Sequence, residues 1–489
     1  MRALLTQKEQ RQLRILEYLF ENPDWIHLDP LAEALNINTR IIKSDIKEMR
    51  EVLSCFEIQS STAGIRLANP KNLGIERIYR HTLQDSSHFQ VLRAFFLLTE
   101  PFTYEHLAQN LDVSLPALRK KVAEINNTLQ SKYRFKLKVT PISIIGDERD
   151  IRFFFAQYFH EAYGYFKWPF PESRKDIAEF VEFFLKLTGY PANYTNLLQI
   201  ETLIAVNLHR FKNGITIQTV SDSEKLLLIY DQLPEYLERL EPLAKSLNIE
   251  LNPDTLEQLF HSFIQKGIFF TVEDFLTARS IDPQVDNSYH AARDVLDNLT
   301  RDFGFHFSNT DELVWHLHNT AILERQEINS ESFISHNKSY SLKNVKKFFP
   351  KFYEAAVLEM MRYKSSIGQK EHAYAVVHLV YTLFTHASDL MEQLLESQNK
   401  VRVLVLSEFD FAHPRSLISL YKFYTSMNIQ FETWDKETLN VDEIMEAGYD
   451  AILTNFDIDG LKHPNLINIG RMSNLQVINE LNTISIGRL

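Results

Sequence analysis

The sequence predicts a multidomain, mainly α-helical protein: tandem winged helix-turn-helix units, two helical bundles, and a small C-terminal α/β domain. Three observations predict it. Leu28–Leu67 and Tyr104–Ile145 each read as helix, turn, amphipathic helix and alternating hairpin. From Trp168 to Lys400 the apolar residues keep helical spacing with few breaks. Residues 399–489 alternate short β-branched runs with helical ones, the pattern of a parallel sheet.

At 489 residues the chain exceeds one ordinary core, so about three to five domains are expected. Hydrophobic and charged contents of 45% and 24% are globular values. No stretch reaches the roughly 18 uninterrupted apolar residues of a membrane span. Charges run through MRALLTQKEQRQLRILEYLF, leaving no apolar signal block, so the expectation is a cytoplasmic protein with no membrane partner. The single cysteine, Cys55, excludes an intramolecular disulfide and a thiolate zinc cluster. The net charge of −12 is unevenly spread: residues 1–152 hold 22 Lys+Arg against 19 Asp+Glu, leaving 30 against 45 beyond. An acidic body repels phosphate, so contact with nucleic acid belongs to the N-terminal part.

Residues 1–70 make the first unit. Asp29 and Pro30 supply a cap and first turn for the helix through Leu31, Ala32 and Leu35, and Asn36-Ile37-Asn38 forms the turn. In the next helix Ile42, Ile46, Met49 and Leu53 form an apolar stripe, while Arg40, Lys43, Lys47 and Arg50 recur on another face. Such a helix packs on a scaffold and reaches into a major groove, although a solvated amphipathic helix has the same pattern. Asn38, Thr39, Arg40, Lys43 and Lys47 are its candidate DNA contacts.

Residues 71–165 make the second. Ser114 caps a helix with Pro116 in its first turn and a stripe of Leu115, Leu118, Val122, Ile125 and Leu129. Arg119, Lys120 and Lys121 cluster near its start, where recognition helices meet DNA. Tyr133, Phe135, Leu137 and Val139 then alternate with Arg134, Lys136 and Lys138, a wing with cations on one face. Ser114, Arg119, Lys120, Lys121, Arg134, Lys136 and Lys138 are the candidate contacts. The same order of parts, met twice, favours double-stranded DNA as the partner.

Residues 166–280 and 281–398 read as two bundles separated near Ser280–Asn287, where SIDPQVDN carries proline and little periodicity. Histidines recur on their apolar helices: His209, His261, His316, His318, His372, His378 and His386. A neutral imidazole is a competent nucleophile towards phosphoryl donors, although a packed histidine satisfied by one hydrogen bond is the commoner use. His372 and His378 are six apart, off one helical face, and no HExxH occurs, so neither metal nor cofactor is expected.

In residues 399–489, VRVLVL, IQFETW and YDAILTNF are strands, with helices at PRSLISLYKFY and Val441–Ala447 between them. The loop after the first strand begins at Ser407 and lacks a glycine-rich phosphate cradle. No paired carboxylates, nucleophile elbow or P-loop point to an enzyme.

This order of parts resembles the Mga/AtxA-type transcriptional regulators of Gram-positive bacteria over essentially the whole chain. The resemblance implies a homodimer that binds promoter DNA, an activator of metabolic or virulence genes. It implies that the bundles are PTS regulation domains, phosphorylated on histidine by phosphocarrier proteins of the sugar phosphotransferase system. The last domain is similar to enzyme IIB of that system. KEHAYAVVHL matches the regulation-domain pattern DEIGYIALHI and places His378 on its histidine. DTLEQLFHSF puts Ser262 there, with His261 one residue early. His209 resembles the regulatory histidine of the first bundle, and His316 and His318 are looser matches in the second. His378, His209, His318 and His261 are therefore the phosphorylation candidates. Enzyme IIB proteins of this type carry a cysteine after the first strand; Ser407 in its place excludes phosphocysteine chemistry and implies a structural domain. Two alternatives are a phosphotransferase component or scaffold without DNA binding, and an RNA-binding antiterminator, whose β-rich N-terminal module is missing.

Overall fold

A computed structural model describes residues 2–53, 56–69, 71–98, 103–165, 167–189, 194–218, 223–264, 266–323, 334–335, 337–370, 372–397, 400–425 and 429–488. Cys55 lies outside the described residues. The chain forms two compact units: Met1–Asn287 with His318–Ser339 and Gln369–Ala375, and Ser288–Leu317 with Tyr340–Gly368 and Val376–Leu489.

The first unit opens with α1 (Gln7–Glu21), started by a reciprocal capping box between Thr6 and Glu9. Next come α2 (Leu28–Leu35) and α3 (Thr39–Val52). Asn36 closes α2 in the left-handed conformation (φ 51°), and the Asn38 side chain accepts from Arg40 N–H at 2.9 Å to start α3. The expected cap at Asp29 is displaced. Helix α2 begins at Leu28 after His27, so Asp29 lies within the first turn, where its charge faces the helix dipole. Ile42, Ile46 and Met49 are buried as their spacing requires. Beside them Asp45, 2% exposed, accepts from Arg11 Nε and Nη2 at 2.5 and 3.0 Å. The hairpin β1 (Glu57–Ser61) and β2 (Gly64–Ala68) follows. Gly64 has φ +123°, and a Cβ there would lie 2.2 Å from the Ile26 carbonyl oxygen. Glycine is thus what lets Ile65 bridge Ile26 through two 2.9 Å hydrogen bonds.

Helices α4 (Glu76–Asp85) and α5 (Ser87–Leu97) precede the second helix pair, α6 (Tyr104–Asn110) and α7 (Leu115–Lys132). Ser114 caps α7 by accepting from Ala117 N–H at 3.3 Å, and Leu118, Val122, Ile125 and Leu129 are buried. Strands β3 (Phe135–Val139) and β4 (Ile142–Gly146) form the second hairpin. Helix α8 (Glu148–Tyr163) backs it. Its Phe155 and Phe159 meet Phe96 of α5, with ring centroids 4.4 and 5.2 Å apart, and its Phe154 meets Phe135 of β3 at 5.1 Å. Periodicity does not announce α8, because aromatic side chains surround most of it and it is buried on several faces.

Helices α9 (Arg174–Thr188), α10 (Tyr194–Lys212), α11 (Ser223–Gln232), α12 (Leu237–Leu247), α13 (Pro253–Ile264) and α14 (Val272–Arg279) follow. Phe184 and Phe260 stack at 3.6 Å between α9 and α13. Arg152 of α8 is fully enclosed: Nε donates to Glu148 at 2.9 Å, Nη1 to the Gln258 carbonyl at 2.8 Å, and Nη2 to the Ile215 carbonyl at 2.8 Å. Arg210 of α10 shares the same Glu148 carboxylate at 2.9 and 2.6 Å.

Beyond lie α15 (Pro283–Phe303), α16 (Thr310–Leu323), α17 (Asn337–Ser341), α18 (Lys343–Phe348), α19 (Pro350–Ser366), α20 (Ala373–His386) and α21 (Leu390–Glu396). The expected break at Ser280–Asn287 is shorter than read. Pro283 starts α15 rather than interrupting it, since a first-turn proline loses no hydrogen bond. Helices α20 and α21 are separated by a short turn around Ser388 and Asp389.

The C-terminal part holds β5 (Val401–Leu406), α22 (His413–Tyr424), β6 (Ile429–Thr433), α23 (Val441–Glu446), β7 (Ala451–Thr454), β8 (Leu466–Asn468) and α24 (Asn474–Arg488). Its sheet runs β6-β5-β7-β8, all parallel. Alternate residues of β5 feed separate cores: Val401, Val403 and Val405 join Ile418 and Val477, whereas Leu404 and Leu406 join Ile444. The βαβαβ reading is extended by β8 and α24. Three edge residues carry too little periodicity to be seen, and α24 is rich in β-branched residues and asparagine.

Candidate nucleic-acid interface and histidine sites

Helix α3 turns its apolar stripe inward and leaves Arg40, Lys43 and Lys47 exposed, without an ion pair among the described residues. Arg50, on the same basic face, is committed elsewhere. Its Nε donates to the Ile58 carbonyl at 2.8 Å and its Nη2 bonds Ser60, pinning β1 to α3. Asn38 spends its side-chain oxygen on the cap, and Thr39 is half-buried at its foot. Thr39 and Lys43 line a shallow groove with Asp29 and the hairpin residues Ser60, Ser61 and Thr62.

Helix α7 repeats the plan. Arg119 and Lys120 are exposed, Lys121 is half-buried, and Ser114 is engaged as the cap. Lys120 Nζ lies 3.9 Å from Glu124, whose other oxygen meets His88 Nε2 at 3.1 Å. On β3, Lys136 and Lys138 are exposed, alternating with buried Phe135 and Leu137. Arg134 is placed differently from its neighbours: with φ +54° it forks onto buried Asp150 at 2.7 and 3.1 Å, at the hairpin base. Sequence reasoning missed Asn126, which donates to the Leu137 carbonyl at 2.9 Å and accepts from Leu137 N–H at 2.7 Å. It pins β3 to α7 as Arg50 pins β1 to α3. An asparagine next to the apolar stripe was the available signal.

The named histidines occupy different settings, and one pair of them is in contact. His209 and His318 are each 2% exposed. His318 Nε2 meets the Gly267 carbonyl at 2.8 Å, among Phe269 and Phe275. His261 is half-buried on α13, with Ser262 Oγ 3.0 Å from its Nε2. Burial, reinforced by the Arg152 guanidinium, pushes its pKa down to about 3. His378 is half-buried on α20, and its carbonyl accepts from Thr382 Oγ1 at 3.0 Å. A pairing invisible in the sequence joins His316 and His386, whose rings stack at 3.6 Å. Burial, with His386 beside it, lowers His316 to about 4.

These shifts set a pH dependence. In the unfolded chain the imidazoles protonate near 6.5, whereas folded His261 and His316 take up a proton only near 3 and 4. Between those limits the unfolded state binds more protons, so stability falls as the pH drops below about 6.5. Guanidinium unfolding midpoints are therefore expected to be lower at pH 5 than at pH 7. His261→Gln should flatten the dependence of the N-terminal unit; equal midpoints in the parent chain would contradict this.

Helix-turn-helix segments ahead of a helical regulatory body define a DNA-binding transcriptional regulator. Residues 6–65 match the M protein trans-acting positive regulator (MGA) HTH domain, residues 71–159 the Mga helix-turn-helix domain, and residues 173–390 the M protein trans-acting positive regulator (MGA) PRD domain. The chain belongs to the Mga family of trans-acting regulators. It is 34% identical over 497 residues to a Streptococcus pneumoniae protein named as a trans-acting regulator, covering 100% of both chains. It is also similar to two capsule synthesis positive regulators of Bacillus anthracis, AcpB at 23% identity over 47% of each chain and AcpA at 24% over 42%. Among the described residues no helix is long and apolar enough to cross a membrane, and no cluster of three acidic, histidine or cysteine residues is arranged for a metal.

Proposed function

We propose that the protein is a homodimeric, cytoplasmic activator that grips promoter DNA through two winged helix-turn-helix units. The observation that carries this reading is the duplicated arrangement of α3 and α7. Each buries an apolar stripe, exposes cations from its first turns, and is hydrogen-bonded to a two-stranded hairpin beside it. In this reading Arg40, Lys43, Lys47, Arg119, Lys120 and Lys121 face the groove. Lys136 and Lys138 lie along a phosphate backbone, and Asn38, Thr39, Ser114 and Arg134 shape the surface. Activation follows the sense of the relatives' names.

Histidine phosphorylation by phosphocarrier proteins would modulate the output, with His378 and His261 half-buried and His209 and His318 reached on local opening. The C-terminal parallel sheet, with Ser407 at the end of β5, serves as an enzyme IIB-like structural domain. The test has two arms. A gel shift with promoter and competitor DNA at two salt concentrations should give a specific, salt-sensitive complex. Labelled phosphoenolpyruvate with the general phosphotransferase proteins should leave acid-labile label on a histidine peptide. Binding that competitor abolishes equally removes the DNA reading, and an unlabelled chain removes the regulatory one.

A further inference from the structure

His209 belongs to α10, yet its ring serves the helix that carries the second reading unit. Its Nε2 lies 3.0 Å from the Phe96 carbonyl oxygen, and its ring stacks on the Phe96 ring with centroids 5.1 Å apart and planes 27° from parallel. Phe96 is the penultimate residue of α5. The last four carbonyls of a helix have no partner within it, and here a side chain from another element supplies one. Because a carbonyl only accepts, Nε2 carries the hydrogen. Burial lowers the His209 pKa against the opposing pull of the Glu172 carboxylate, so the ring is neutral at pH 7 with one N–H to give. Helix α5 in turn packs on α7 and β4. The chain leaves α5 at Leu98 and re-enters helix at Tyr104, after the Thr103 cap of α6.

We propose that His209 is a positioning residue: its Nε2–H caps the last turn of α5 and so sets the second reading unit against the helical bundle. The proposal rests on α7 being a DNA-reading helix. A phosphoryl group on Nε2 and this cap exclude each other. On transfer from a phosphohistidine donor, the hydrogen first shifts from Nε2 to Nδ1, which breaks the cap and frees the Nε2 lone pair; the donor's P–N bond then breaks as the P–Nε2 bond forms, and the Nδ1 proton passes to the donor imidazole. The group left on Nε2 carries about two negative charges towards a carbonyl oxygen. Modification of this residue therefore releases the end of α5.

The experiment is hydrogen exchange and promoter binding on the full chain with three variants. His209→Gln keeps an N–H donor near the Nε2 position, His209→Leu fills the space without one, and His209→Glu adds charge. The Leu and Glu variants should exchange about five- to tenfold faster in the last turn of α5 and in α7, with α3 unchanged, and should bind promoter DNA more weakly by a similar factor. The Gln variant should stay within about twofold of the parent in both readouts. Unchanged exchange in the Leu variant overturns the proposal, as does a Gln variant that behaves like Leu. Faster exchange with undiminished DNA binding leaves the cap standing and removes α7 from the DNA interface, so the two failures are distinguishable.

Discussion

Arg152→Met is expected to destabilise the N-terminal unit by about 3–5 kcal/mol, the usual cost of breaking a buried charge pair from one side. Arg152 is fully buried, and its guanidinium connects Glu148 on its own helix, the carbonyl of Gln258 on α13 and the carbonyl of Ile215. Methionine fills most of the space but satisfies none of these acceptors, and Glu148 is left with Arg210 alone. Arg152→Lys keeps the charge but not the fork, so it should fall between the parent and the methionine variant. Chemical denaturation followed by near-ultraviolet circular dichroism reads the effect. A loss below about 1 kcal/mol would show that the network is solvated in solution.

The second large effect concerns DNA. Alanine at Lys43, Lys47, Arg119 and Lys120 together should lower specific affinity at least about a hundredfold near physiological salt, and flatten the log–log salt dependence by about 0.9 for each phosphate no longer neutralised. Arg134→Ala is the informative control. Its guanidinium is spent on buried Asp150, so it should lower stability while leaving the salt slope nearly unchanged. If the quadruple variant keeps the parent's slope, neither α3 nor α7 is a reading helix. If only Arg134→Ala changes it, the DNA lies against the hairpin base instead.

Both results depend on features of different visibility. The reading helices were legible because their information is local: Ile42, Ile46 and Met49 repeat at helical spacing, the cations recur on another face, and Asn38 and Ser114 have cap chemistry. The same holds for β5, whose valine- and leucine-rich run VRVLVL is what a strand covered on both faces requires. The start of α15 was misplaced because proline has two local meanings, breaker or first-turn residue, and only the surrounding structure selects one. Among charged residues, sequence could place Arg50 and Arg134 on plausible faces but could not see that Ile58, Ser60 and Asp150 already hold them.

By itself, then, the sequence determined the succession of elements, the two repeated helix-turn-helix patterns and the separation of a mildly basic N-terminal part from an acidic body. Each follows from interactions within a few residues of one another or from composition. Tertiary structure alone decided which polar groups are free and which are spent. Arg152 became an enclosed junction, His316 came to lie on His386, and His209 reached the Phe96 carbonyl 113 residues earlier in the chain. Their energies come from desolvation and hydrogen-bond geometry between elements distant in sequence, and neither leaves a period or a motif to read.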